Sequence, residues 1–126
     1  MRAILLWSLF VLGASQALGH ARLTHSDPAD GGSVPAADAE VTLQFSEAIQ
    51  PRFSDFVFHY LGQDPEGKVD DGNRLPRPDP VFDETRQQVT MALSENAAAG
   101  WYVLDWEVLA VDGHTTAGTL RFLLTP

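Results

Sequence analysis

The sequence predicts an all-β domain on three observations: hydrophobic residues recur at every second position in several short runs, turn-forming residues separate those runs, and no run long enough for a core helix keeps a 3.6-residue period. Glu40 to Ser46 (EVTLQFS) alternates strictly, with Val41, Leu43 and Phe45 on one face and Thr42, Gln44 and Ser46 on the other. Phe56, Phe58 and Tyr60 share a face opposite Asp55, Val57 and His59, which places His59 on the outer surface. Between Asp70 and Pro80 the apolar period vanishes and prolines stand at 76, 78 and 80, so a loop or polyproline-like crossover is expected. Val89, Met91 and Leu93 form the next apolar face. Ser94 to Ala99 (SENAAA) is the one segment expected to form a helical turn. Tyr102, Leu104, Trp106 and Val108 oppose Val103, Asp105 and Glu107, and Leu120, Phe122 and Leu124 close the chain. Turn chemistry falls between these runs at Pro28-Ala-Asp-Gly-Gly, Asp64-Pro-Glu-Gly, Asp70-Asp-Gly-Asn and Ala99-Gly100. About seven strands at such spacing make a β-sandwich or Greek-key barrel, with neither an internal repeat nor a second domain.

Residues 1–19 read as a leader for export. Arg2 supplies a positive start, Ile4 to Leu12 (ILLWSLFVL) an apolar run, and GASQALG a small-residue cleavage region. The run falls short of the ~20 apolar residues a membrane-spanning helix needs. Cleavage after Gly19, with Ala17 at minus three, is preferred over cleavage after Ala17. The mature domain is then 20–126, beginning at His20.

Composition narrows the chemistry of that domain. The 126-residue chain carries 8 Lys+Arg against 17 Asp+Glu, a formal charge of −9, and loss of Arg2 with the leader makes it −10. A nucleic acid is excluded as partner, because displacing its counterions needs a basic surface. The absence of cysteine removes disulfides, thiolate zinc sites, iron–sulfur clusters and cysteine nucleophiles together. Histidines and carboxylates remain, and all four histidines, His20, His25, His59 and His114, lie in the mature chain.

Asp112-Gly113-His114 sets a carboxylate and an imidazole two residues apart, on one side of an extended strand end. Alone, Asp-Gly before a polar residue reads as an ordinary hairpin turn. His20 changes that balance. A histidine at a free amino terminus offers its α-amine and a ring nitrogen to one metal, and an α-amine pKa of about 7.7 to 8 lets a metal displace the proton near neutrality. His20, His114 and Asp112 together supply three nitrogens and one oxygen, a set that suits tetragonal Cu(II), which also heads the affinity order of the divalent metals. For His20, the competing reading is a frayed terminus without a partner.

The start HARLTHSDPADGGSV, then LQFSEAI, then GWYVLDWEVLAVDGHTTAGTLRF resembles the CopC family of periplasmic copper-binding and copper-resistance proteins. The family pattern is matched in order by His20 and Ala21, Leu23, Ser26 to Gly31, Phe45 to Glu47, Tyr102 with Trp106, and Asp112 to His114. The resemblance implies an immunoglobulin-like Greek-key β-barrel or sandwich that binds one Cu(II) per mature chain through His20, Asp112 and His114. It further implies delivery to an inner-membrane transporter of the CopD type; a monomer that carries copper without turnover is expected. Some relatives hold a second, Cu(I)-selective site on a methionine-rich loop. The mature chain keeps only Met91, on an inward strand face, so no such site is expected.

The other candidates read more plainly. His25 and His59 are expected as surface residues, Glu47 as a structural strand-end residue, and Trp106 as core. Two further function classes stay open. One is a small copper-dependent oxidative enzyme, since lytic polysaccharide monooxygenases also hold copper with an amino-terminal histidine, although this chain is short for their substrate face and loops. The other is a metal-free immunoglobulin-like interaction module in which Asp112 to His114 is only a turn.

Overall fold

The computed structural model describes residues 20–126; the expected leader lies outside the described residues. Eight strands follow one another: β1 (Leu23–Asp27), β2 (Ser33–Pro35), β3 (Glu40–Phe45), β4 (Asp55–Gly62), β5 (Val81–Phe82), β6 (Gln88–Ala92), β7 (Gly100–Leu109) and β8 (Thr115–Thr125). They form two four-stranded sheets, ordered β1-β3-β6-β5 and β2-β8-β7-β4. Only β5–β6 and β7–β8 are hairpins between consecutive strands. Every other connection among the described residues crosses between the sheets, which makes the β-sandwich that the alternating pattern predicts.

The core lies between the sheets and takes the alternate residues. Val41, Leu43 and Phe45 from β3 and Val89 and Met91 from β6 meet Phe56, Phe58, Leu104, Trp106, Leu120 and Phe122 from the second sheet, all buried. Each such side chain contributes about 1.5–3 kcal/mol through burial, so a register slip of one residue in any of these strands would be costly. Met91 is fully buried among them, as a core residue.

Three expectations are corrected. Ser94 to Ala99 forms no helix; Ala97 N–H reaches Ser94 O at 2.9 Å in a single tight turn. β2 and β5 add strands that sequence periodicity did not mark, because three and two residues are too few to show a period. His59 is not a surface residue. It is 6% exposed although it points away from the core, because the connection after β4 folds back over this face. Arg74 bridges to His59 and Leu75 N–H donates to Phe58 O at 2.9 Å. On the other flank the Arg121 guanidinium donates to Pro65 O at 2.6 Å. Under this cover Val103, the cross-strand partner of His59, is also buried. The proline-rich stretch after Arg74 then carries the chain from the second sheet to the first, as the sequence predicts.

Candidate metal centre

The β7–β8 hairpin ends in the five-residue connection Ala110 to His114. Gly113 N–H donates to Ala110 O at 3.0 Å, and Ala110 N–H donates to His114 O at 2.9 Å. Gly113 sits at φ +93°, a left-handed conformation that a residue with a Cβ adopts only under strain. The Asp-Gly pair is therefore a hairpin turn, and that turn is also what presents His114.

Asp112 fixes the orientation of the ring. Its Oδ1 accepts from the backbone N–H of His114 at 3.0 Å, and its Oδ2 lies 2.8 Å from Nδ1 of the same residue. The backbone hydrogen bond from His114, then its ring, hold the Asp112 carboxyl below the usual carboxylate range, with the charges of His114 and His20 adding to the effect. An ionised carboxylate only accepts, so Nδ1 carries the proton and the lone pair of neutral His114 is on Nε2. A carboxylate holding a histidine in one tautomer in this way is the arrangement that supports imidazole as a metal ligand.

His20 arrives from the other end of the chain. Its ring stands edge to face with that of His114, 4.7 Å between centroids at 61°. Its backbone is not a frayed end. Ala21 is fully buried, and Thr116 Oγ1 donates to Ala21 O at 2.6 Å. Ser46 Oγ donates to His20 O at 3.3 Å and accepts from Arg22 N–H at 2.9 Å, while Ser46 N–H donates to Arg22 O at 2.8 Å. Ser46 thus pins the residues on either side of Ala21 to the end of β3, and Thr116 pins Ala21 itself to the start of β8. Sequence reasoning missed both as site-building residues. The only available signal for Ser46 was its place in the Phe45-Ser46-Glu47 pattern, and for Thr116 a hydroxyl two residues past His114.

The structure thus brings His20, Asp112 and His114 to one end of the sandwich. Among the described residues no three His, Asp or Glu side chains form a metal-holding group by themselves. The two rings and one oriented carboxylate fit a hard-to-borderline divalent ion, provided that a further donor comes from the backbone terminus. The other candidates do not join them. His25 is exposed on β1 opposite Gln44, after a bulge between Leu23 and His25. His59 belongs to the covered outer face of β4, and Glu47 is half-buried, its carboxylate accepting no hydrogen bond from His20 or His114 among the described residues. Trp106 packs edge to face on Phe45 at 5.3 Å and over Gly118, where an added Cβ would come within 2.5 Å of the indole. Its role is in the core, although its buried Nε1–H finds no acceptor.

Residues 23–125 match the family model of the CopC domain. Asp112 and His114 lie inside the matched span and His20 lies before it. Protein YobA of Escherichia coli K12 is 34% identical over 103 residues, covering 82% of this chain and 77% of YobA. The copper transport protein CutJ of Bacillus subtilis 168 is 24% identical across 94% of this chain, which corresponds to 20% of CutJ. CopC from Methylosinus trichosporium OB3b superposes with a TM-score of 0.66 at 25% identity, over 85% of this chain and 95% of that one. PcoC, a methionine-rich copper resistance protein of Escherichia coli, superposes with a TM-score of 0.68 at 22% identity, over 84% and 99% of the two chains. This chain has the PcoC fold without its methionine richness, since it contains two methionines, Met1 and the buried Met91. On the family match and the YobA identity, the chain belongs to the CopC family.

Proposed function

We propose that residues 20–126 are a periplasmic Cu(II) carrier that binds one ion through His20, Asp112 and His114 and hands it to a membrane copper transporter of the CopD type. The observation that carries this reading is the convergence of the His20 and His114 rings on a terminus anchored by Ser46 and Thr116. The α-amine and a ring nitrogen of His20, Nε2 of His114 and an oxygen of Asp112 make up the donor set. The carboxylate oxygen that accepts from Nδ1 lies across the ring from Nε2, so Asp112 joins the donor set by releasing the His114 ring and turning an oxygen to the ion. With no thiolate and no methionine cluster, this set favours Cu(II) over Cu(I) and over Zn(II).

The family is one of copper-binding and copper-resistance proteins, not of enzymes, and the chain is a binder accordingly. Delivery to a transporter is supported by CutJ, a copper transport protein in which a similar segment is one fifth of a longer chain. Export through the leader 1–19 would free the amine of His20 in the compartment where copper is carried.

Competition titration with Cu(II) and Zn(II) at several pH values tests the assignment. Protons compete for both imidazoles and the amine, so Cu(II) affinity should fall steadily as pH drops through the histidine range. One Cu(II) per chain, with Zn(II) held far more weakly, is the expected result. An affinity that stays flat from neutral pH to well below that range would contradict the ligand set.

A further inference from the structure

His20 leads into β1 of the first sheet and His114 into β8 of the second, so the separation of their rings is set by whatever joins the two sheets at this end of the molecule. The bonds from Ser46 do not join them. Ser46 follows β3, the partner of β1, and its contacts with His20 and Arg22 place the terminus on the first sheet alone. Among the described residues two side-chain hydrogen bonds link residues 20–50 to residues 110–116: Gln50 Nε2 donates to Ala110 O at 2.9 Å, and Thr116 Oγ1 donates to Ala21 O at 2.6 Å.

Each bond acts beside a candidate ligand. Ala21 follows His20 and is fully buried, and the Thr116 hydroxyl is the donor that its carbonyl meets. A buried carbonyl left without a donor carries the full cost of its lost hydration. Removing that hydroxyl therefore drives Ala21, and His20 with it, outward to water. Gln50 braces the other half. The Ala110 O that its amide reaches is the acceptor that closes the turn, taking Gly113 N–H at 3.0 Å. The backbone supports the same contact, with Gln50 N–H on Leu109 O at 2.8 Å and Val111 N–H on Ala48 O at 3.2 Å. Residues 46–50 are thus a bracket with the terminus held at Ser46 and the turn that carries Asp112 and His114 held at Gln50.

Resting on the carrier reading above, we propose that Gln50 and Thr116 are positioning residues of the copper site: neither touches the ion, and together they hold the His20 and His114 rings side by side before it arrives. A donor already in place gives up little freedom when the metal binds, whereas a loose one must first be ordered. Breaking either bond therefore lowers Cu(II) affinity while every ligand remains in the chain.

Thr116→Val and Gln50→Leu remove the two donors at nearly constant size, and Thr116→Ser keeps the hydroxyl. In the metal-free mature protein, nuclear Overhauser contacts between the His20 and His114 rings read their apposition without copper. Wild type and Thr116→Ser should show these contacts, and Thr116→Val and Gln50→Leu should weaken or lose them. Cu(II) competition should follow the same order, with a loss of about tenfold in each of the two impaired variants, the low end of what groups behind a metal ligand contribute, and with a changed Cu(II) electron-spin spectrum. His59→Ala, which loosens the connection after β4, controls for destabilisation and should keep both ring contacts and affinity; a loss there as well would make the readouts measures of general stability and overturn the inference. Wild-type ring contacts or wild-type affinity in Thr116→Val would overturn the role of Thr116, and the same result in Gln50→Leu that of Gln50, so each variant decides even where the other does not fold. Thr116→Ser as impaired as Thr116→Val would also overturn it, since the hydroxyl would then not be the group at work. A wild-type protein whose rings touch yet binds no Cu(II) contradicts the carrier reading alone.

Discussion

The rings of His20 and His114 stand 4.7 Å apart, edge to face, although they belong to the first residue of the described chain and to the last hairpin. The sandwich makes that contact. β1 pairs with β3 in one sheet, β8 with β7 in the other, and Ser46 and Thr116 hold the His20–Arg22 backbone across the gap between them. The site therefore joins both sheets, and its geometry depends on the fold rather than on local sequence.

Ligand and bystander histidines should separate cleanly. His114→Ala removes a nitrogen donor fixed by Asp112 and should weaken Cu(II) binding by several orders of magnitude. Asp112→Ala should weaken it less, because Cu(II) holds nitrogen more tightly than a carboxylate that water can replace. His25→Ala, on the exposed side of β1, should leave affinity unchanged. Copper competition on the three variants checks the order, and a larger loss from His25→Ala than from His114→Ala would move the site elsewhere.

His59 should matter for stability and not for copper. Its Nδ1 lies 3.1 Å from Asp70 O and 3.0 Å from Asn73 Oδ1, both acceptors, and its Nε2 lies 3.5 Å from Asp105 Oδ2. The ring thereby pins the connection after β4 to the outer face of the sheet. His59→Ala removes the ring's contacts, while Asp70 O still accepts from Asn73 N–H and Asn73 Oδ1 from Asp70 N–H, and should cost about 1 kcal/mol, read as a lower urea midpoint with unchanged Cu(II) affinity. A midpoint equal to wild type would show that the connection is held without it.

Alkaline stability should be limited by Tyr102. Burial first, and the neighbouring Tyr60 second, raise its pKa above 10.0, and its hydroxyl donates to Ala98 O at 2.6 Å. The unfolded chain ionises this tyrosine before the native chain does. Its contribution is therefore complete below pH 10 and is lost as pH climbs through the raised native value. Tyr102→Phe should start less stable at neutral pH and lose less between pH 10 and 12 in parallel melts. Parallel curves for the two proteins would refute the assignment.

Much of this architecture was legible because the buried faces of β3, β4, β6, β7 and β8 keep a period of two along the chain. What that period does not report is what covers the other face. Val103 and His59 are buried by a connection whose path depends on Asp70, Asn73 and Pro65, so local pattern placed His59 outside. The same limit applies at the candidate metal centre. Asp112, Gly113 and His114 announced themselves as a motif, and His20 through the position of the cleavage region. Ser46 and Thr116 did not, since a hydroxyl carries no sign of which distant carbonyl it will meet.

Copper competition on a chain that keeps one residue before His20 tests the central claim most directly. Any preceding residue turns the α-amine into an amide, which removes its lone pair from coordination and breaks the chelate while leaving both rings in place. The contacts that hold the terminus use the carbonyls of His20 and Ala21 and the backbone of Arg22, so the extended chain should fold as the authentic one does. It should bind Cu(II) orders of magnitude more weakly, with an altered Cu(II) electron-spin spectrum. Equal affinity and identical spectra for the two forms would contradict the claim that the freed terminus of His20 is a ligand.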